Sequence, residues 1–379
     1  MVSWFGTEIS GIALPLIVLS ITGSPAQAGS IAAMRGLLYV LLAIPAGGLI
    51  DRWDRKKIMV IANLGSGLAM GSIAVSLFLH VLTIPQLYIT GFIEGGCFVF
   101  ANLCRFAITP LVVTREELPS AASKMGIADF SALSVGPALG GILYQTFGAT
   151  FSFVIDSFSY FINAFSIFFI TVPLNVVREK KESLTKEIHE GILWFLNQPL
   201  IRFVNITTCG ITLLSVGVYL LVIVMARQFN ASAGIIGIVL GVGAVGGIIG
   251  SIVAPWIQNR LSFRKSLIGT TIAFAIIFGL YIFVHNVVFL ALITGFLSMT
   301  GAVYDIIGYS KMAPMIPDEI RGRVNSLTRT TVLGSYSLGY FLMGISLQYL
   351  GITRTIIVFF CFLCILAFSV IANKAVKQA

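Results

Sequence analysis

The sequence predicts an all-α polytopic membrane protein, with twelve transmembrane helices in two pseudo-symmetric six-helix bundles. Three observations predict it. Of 379 residues, 57% are hydrophobic and only 10% charged, which leaves too little polar surface to cover a soluble globule and makes a bilayer the natural solvent. Apolar stretches of about 20 residues, the length that crosses the hydrocarbon core, recur twelve times. Finally, the halves repeat each other: Gly136, Gly141, Ile142, Gln145 and Gly148 match Gly339, Gly344, Ile345, Gln348 and Gly351 at a constant offset of 203.

In chain order the apolar runs begin near Val2, Ile31, Ile58, Ile84, Met125 and Phe151, then near Leu200, Ala233, Ser266, Val287, Ser326 and Thr353. The first run lacks a basic start and a small-residue cleavage site, so no cleavable signal peptide is expected. No charged residue precedes Val2, and further residues ahead of it are therefore expected. The second run stops on an acid in GGLIDRWDRKK, from Gly47 to Lys57. Arg52, Arg55, Lys56, Lys57, Arg115, Lys124, Arg178, Lys180, Lys181, Lys186, Arg260, Arg264, Lys265, Lys311, Arg321 and Arg323 all fall at alternate turns. The turns between, around Gly23–Ala28, His80–Pro85, Phe147–Thr150 and His285–Val287, hold no Lys or Arg; Arg227 and Arg354 are the exceptions. By the positive-inside rule both termini face the cytoplasm. The net charge of +9 thus belongs to topology, and no nucleic-acid partner is expected.

Six runs lie on each side of the longest polar stretch, Val176–Gln198. The expected organisation is a first bundle over 1–175, a cytoplasmic linker over 176–199 and a second bundle over 200–379. Within the linker Leu184, Ile188, Ile192 and Phe195 recur at helical spacing, which predicts a short amphipathic helix ended by Pro199. The five cysteines, Cys97, Cys104, Cys209, Cys361 and Cys364, lie in apolar runs. Their odd number argues against a disulfide framework, and the CxxC of Cys361 and Cys364 lacks the partners of a zinc site.

These features resemble those of a major facilitator superfamily transporter across essentially the whole chain. The loop after the second run is similar to that superfamily's GxLxDRxGRK signature, matched by Gly47, Leu49, Asp51, Arg52, Arg55 and Lys56, with Asp54 where a glycine is usual. RxAxxPxxVxREELPxA from Arg105 to Ala121, and PDEIRGRV from Pro317 to Val324 with Asp318, Arg321, Gly322 and Arg323, resemble the drug and siderophore exporter branch. That branch takes in macrolide efflux proteins and enterobactin exporters. Two such bundles imply a binding site between them at the membrane midplane, opened alternately to either side.

At a cytoplasmic helix end Asp51 can pair with Arg55 and accept bonds from unsatisfied amides at a helix start, which would make the loop a gate. The alternative is ordinary interface charge. The corresponding turn, Gln258–Lys265, keeps Arg260, Arg264 and Lys265 but has no acid. Gly136, Pro137, Gly140 and Gly141 form a GPxxGG string that resembles the superfamily's exporter-associated motif; close helix packing is the other reading. Gly241, Gly243 and Gly246 spell GxGxxG inside an uninterrupted apolar run, where small residues serve helix contact and not phosphate binding. No Walker lysine motif is present, so transport draws on an ion gradient or on the substrate's own gradient, and no cofactor is expected.

A charge at mid-bilayer costs at least about 2.5 kcal/mol and is rarely kept without function. The intramembrane ionisable residues are Glu8, Arg35, Glu94, Arg105, Asp129, Asp156, Asp305 and Arg329. The resemblance implies that Glu8, Glu94 and Asp305 lie on cavity-lining helices, as proton or substrate sites. Glu94, near the centre of its run, is the strongest candidate for exchanging a proton for substrate; a structural glutamate bonded to a neighbouring helix is the alternative. Proton-coupled drug exporters of the superfamily often carry an arginine where this chain has Gly91. Asp305 can pair with Lys311 or Arg329, Arg105 with Asp129, and Arg35 with Asp156.

Tyr39, Tyr88, Tyr160, Tyr219 and Tyr304 lie in the spans beside an excess of acids, a combination that suits amphipathic cations. The expected function is proton-coupled efflux of amphipathic drugs such as macrolides by a functional monomer in the bacterial inner membrane. Export of a siderophore or other native metabolite is the alternative, with a non-transporting membrane sensor as a third. Enzyme activity is not expected, since no metal cluster or nucleophile constellation stands out.

Overall fold

A computed structural model describes residues 2–50, 53–114, 117–170 and 184–378. Every element among them is helical. The order is α1 (Val2–Thr22), α2 (Pro25–Ile50), α3 (Arg55–Phe78), α4 (Ile84–Val112), α5 (Leu118–Phe168), α6 (Leu184–Leu196), α7 (Pro199–Gln228), α8 (Ala233–Arg260), α9 (Phe263–Gly279), α10 (Val287–Met312), α11 (Asp318–Ala372) and α12 (Lys374–Gln378). In lipid every backbone amide needs an internal partner, which a helix supplies within its own segment.

Among the described residues, nine helices are long and apolar enough to cross a membrane. Two of them are not single crossings. α5 has 51 residues, about 77 Å of helix at 1.5 Å per residue, far more than a hydrocarbon core. It breaks at Gly148 (φ 81°, ψ 171°), and α11 breaks in the same way at Gly351 (φ 74°, ψ 175°). That backbone region is open essentially only to glycine. Each broken helix holds two spans, and the 26-residue α2 brings the number to twelve.

α2, α5 and α11 start at Pro25, Leu118 and Asp318, ahead of the apolar runs expected near Ile31, Met125 and Ser326. The apolar run marks the part immersed in hydrocarbon, whereas the helix continues outward until a turn residue or proline ends its hydrogen-bond ladder.

The chain divides into two compact units, Met1–Lys180 with Ser232–Ile238 and Lys181–Ala231 with Val239–Ala379. In the first, α1 packs along α5, α3 on α4 and α5, and α2 on α4. In the second, α11 packs on α7 and α9, and α9 on α10. The repeat is visible in the packing. A side chain at Gly136 would strike Glu8 on α1, and one at the matching Gly339 would strike the Leu213 carbonyl on α7. Gly246 and Gly250 likewise press against the backbone of Gly295 and Met299 on α10, so the GxGxxG string is a helix contact.

α6 occupies the stretch where an amphipathic linker helix was expected. Phe195 buries its ring with Ile201, Ile316 and Val324, flanked by Trp194, Ile320 and Leu327. The expected linker start at 176 lies outside the described residues.

Candidate functional site

The α2–α3 turn is built from its capping residues outward. Asp54, the departure from the usual glycine, caps α3: its Oδ1 accepts from the amides of Lys56 at 2.9 Å and Lys57 at 3.3 Å. Those amides have no intrahelical partner, so the acid satisfies them and faces the positive end of the helix dipole. Lys56 reaches across to the end of α5, donating from Nζ to the carbonyls of Phe168 at 3.0 Å and Ile170 at 2.9 Å. A cation on the orphan carbonyls of a helix C-terminus is favourable on both counts. Arg55 is buried, and Gly47 lies in the last turns of α2. Asp51 and Arg52 lie outside the described residues, and with them the expected Asp51–Arg55 pair.

The GPxxGG string faces two ways. Gly136 meets Glu8, and Gly140 approaches the Ile9 carbonyl, where a Cβ would sit 2.8 Å away. Gly141, one position on, presses against Ala233 and Gly237, and Pro137 lends its carbonyl to the same contact. Gln145 accepts there from the Gly234 amide at 3.0 Å. These residues at the start of α8 belong to the first compact unit.

Glu94 is 4% exposed and accepts a hydrogen bond from the Tyr160 hydroxyl at 2.9 Å. A carboxylate in an apolar interior needs a donor, and the second half of α5 provides one. The same Tyr160 oxygen lies 3.0 Å from Thr7 Oγ1, and Thr7 donates to the Ser3 carbonyl at 2.9 Å. Glu8 packs its β-carbon on Gly136.

Asp305 is exposed on α10, and among the described residues it forms no ion pair with Lys311 or Arg329. Lys311 is six residues further on, about 240° around the helix, and its ammonium lies 5.4 Å from the Phe263 ring centre. Asp156 is fully buried and accepts from Ser10 Oγ at 2.5 Å. The side chain of Arg35, its expected partner, lies outside the described residues.

Arg105 and Asp129 form a two-pronged bridge, Nη1 to Oδ1 at 3.1 Å and Nη2 to Oδ2 at 3.2 Å. The guanidinium also lies 5.2 Å from the Trp4 ring. In the α4–α5 turn the amide and hydroxyl of Thr114 donate to Glu117 Oε2 at 3.2 and 3.0 Å. These bonds favour the charged form and hold the Glu117 carboxyl below its ordinary range.

At the start of α11, Arg321 donates to the Ile316 carbonyl at 3.3 Å, and nothing crowds Gly322. Asp318 opens the helix; its side chain lies outside the described residues. Arg323 Nη1 pairs with Glu190 of α6 at 2.7 Å. That pair was not anticipated, because the linker's several charges give no signal as to which one meets the turn. Nor was the role of Lys56, whose partners are backbone atoms.

Three of the five tyrosines expected to offer polar handles to a substrate have protein partners. Tyr88 bonds Ser30 at 2.5 Å, Tyr304 bonds Thr207 at 2.5 Å, and Tyr160 serves Glu94. Among the described residues no group of His, Cys, Asp and Glu is arranged to hold a metal.

The family model described as transmembrane secretion effector matches residues 1–378. The enterobactin exporter EntS of Salmonella typhi is 25% identical over 340 residues, covering 88% of this chain and 80% of that protein. EntS of Escherichia coli O1:K1 / APEC is 25% identical over 341 residues, with the same coverage. Among solved structures, the nucleoside transporter NupG superposes with a TM-score of 0.73 at 13% identity, over 98% of this chain and 96% of that one. A bacterial homologue of the iron transporter ferroportin in an inward-facing state gives 0.74 at 14%, over 98% and 96%. These two likenesses show the fold alone.

Proposed function

The chain belongs to the transmembrane secretion effector family of the major facilitator superfamily, and on that premise we propose that it exports a siderophore-class metabolite across the bacterial inner membrane. It is a multi-pass membrane transporter and not an enzyme. The observation that carries the finer reading is the similarity to enterobactin exporters over 88% of the chain. Export of macrolide-like drugs, expected from the sequence, loses one support, since the hydroxyls of Tyr88, Tyr160 and Tyr304 already have protein partners.

In this reading the protein works as a monomer with both termini in the cytoplasm, and inward proton flow drives outward transport. Glu94 carries the proton: it is a buried carboxylate in a membrane span, with a hydroxyl at hand. Asp305 contributes an exposed carboxylate on the substrate path, the α2–α3 turn gates access with Asp51, and GPxxGG supplies the close helix contact that alternating access works against.

The test is secretion of enterobactin from a strain lacking its own exporter. Wild-type protein is expected to restore secretion, and Glu94→Gln to abolish its dependence on the proton gradient while the protein still folds. Restoration of macrolide resistance without enterobactin secretion would move the substrate to the drug class.

A further inference from the structure

We propose that Tyr160 is a positioning residue that passes the protonation state of Glu94 to α1, an inference that rests on the proton-coupled reading above. Three helices meet at its hydroxyl. Tyr160, 8% exposed, lies beyond the Gly148 break in α5; it donates to Glu94 Oε1 of α4 at 2.9 Å and stands 3.0 Å from Thr7 Oγ1 of α1. Thr7 in turn donates to the Ser3 carbonyl at 2.9 Å.

A phenol has one proton to give and lone pairs to accept with, whereas a carboxylate only accepts and a carboxylic acid also donates. When Glu94 is ionised, Tyr160 gives its proton to Oε1 and accepts the single proton of Thr7, which then leaves the Ser3 carbonyl. When Glu94 holds a proton, the acid donates to the Tyr160 oxygen. The phenol then turns its own proton to Thr7, whose hydroxyl turns back to the Ser3 carbonyl. Both states leave every hydroxyl in the chain bonded, and no proton leaves it. What changes is the direction of the bonds that reach α1.

The neighbouring contacts keep α1 in register while that reversal occurs. Ser10 holds Asp156 Oδ2 at 2.5 Å, and Gly6 has no side chain to collide with Asp156 and Ser159. Among the described residues, titratable groups at this seam include Asp156, which accepts from Ser10, and, one turn along α4 from Glu94, Cys97.

Infrared difference spectra of the purified full chain between acid and neutral pH test the link without a substrate. The carboxylic C=O band lost in Glu94→Gln identifies Glu94. In Tyr160→Phe, which keeps the ring, that band is expected to move to higher wavenumber, with a smaller move in Thr7→Val. An unmoved band in Tyr160→Phe overturns the proposal. Transport in inverted vesicles gives the functional half, with enterobactin as the probe. Tyr160→Phe is expected to lose accumulation driven by an imposed pH gradient about tenfold, the equivalent of one charge-assisted hydrogen bond, while keeping exchange at equal pH. Equal loss of both modes, or loss of neither, overturns the proposal. Wild-type accumulation indifferent to the gradient overturns the proton-coupled reading itself, and shows in the wild type before any variant is compared.

Discussion

Lys56 shows how a residue in a signature loop acquires a physical role. Its ammonium holds two carbonyls at the end of α5, atoms that a helix C-terminus leaves without partners. The lysine is partly exposed, so solvent screens it. Lys56→Met is expected to lower stability by about 1 kcal/mol, read as a reduced Tm in detergent, with Lys56→Arg retaining most of it. Asp54 follows the same logic: the residue that departs from the superfamily pattern is the one that caps α3. Glu94 was recognisable in the sequence as a carboxylate near mid-span. Its hydrogen bond to Tyr160, 66 residues away, was not, because sequence spacing places a side chain on a helix but does not say which helix it faces.

At the scale of elements, the duplicated glycines carry the argument. Gly148 and Gly351 were matched as members of a repeat, and the structure gives the repeat its reason: each turns one long helix into two spans through a backbone conformation that other residues adopt only under strain. Gly148→Ala should therefore cost about 1–3 kcal/mol, although nothing crowds the position. Gly126→Ala, in helical backbone with equal room, is the comparison that separates backbone strain from crowding. A Tm loss at Gly148 and none at Gly126 is the expected result. The span starts were legible to within a few residues wherever the apolar run coincided with a cap or proline, as at Ile84, Ala233 and Val287. They were late for α2, α5 and α11, where polar residues such as Gln27, Ser120 and Arg321 stand ahead of the apolar run.

At the scale of the molecule, α6 is the element that ties the linker to a bundle. It buries Phe195 against Ile201, Ile316 and Val324 and pairs Glu190 with Arg323. The ion pair is partly exposed and contributes about 0–1 kcal/mol, so the apolar cluster is the firmer attachment. A β-carbon at Gly191 would stand 3.1 Å from that of Arg323, slightly inside the span of a disulfide. The pair Gly191→Cys and Arg323→Cys is expected to cross-link on mild oxidation, seen as a gel shift reversed by reductant. Absence of the cross-link would show that α6 leaves the second unit.

Composition, run length and charge placement determined that this chain spans a membrane twelve times in two related halves, because hydrocarbon imposes the same length and the same saturation of backbone bonds on every span. Motif strings determined the superfamily. Only the tertiary structure decided which polar groups meet: Lys56 with the end of α5, Tyr160 with Glu94 and Thr7, Arg323 with the linker helix, and, among the described residues, Asp305 with neither of its expected partners. Those meetings depend on helix rotation and close approach, which are set by packing across the bundle, whereas the apolar pattern that marks a span in the sequence is nearly the same on all its faces.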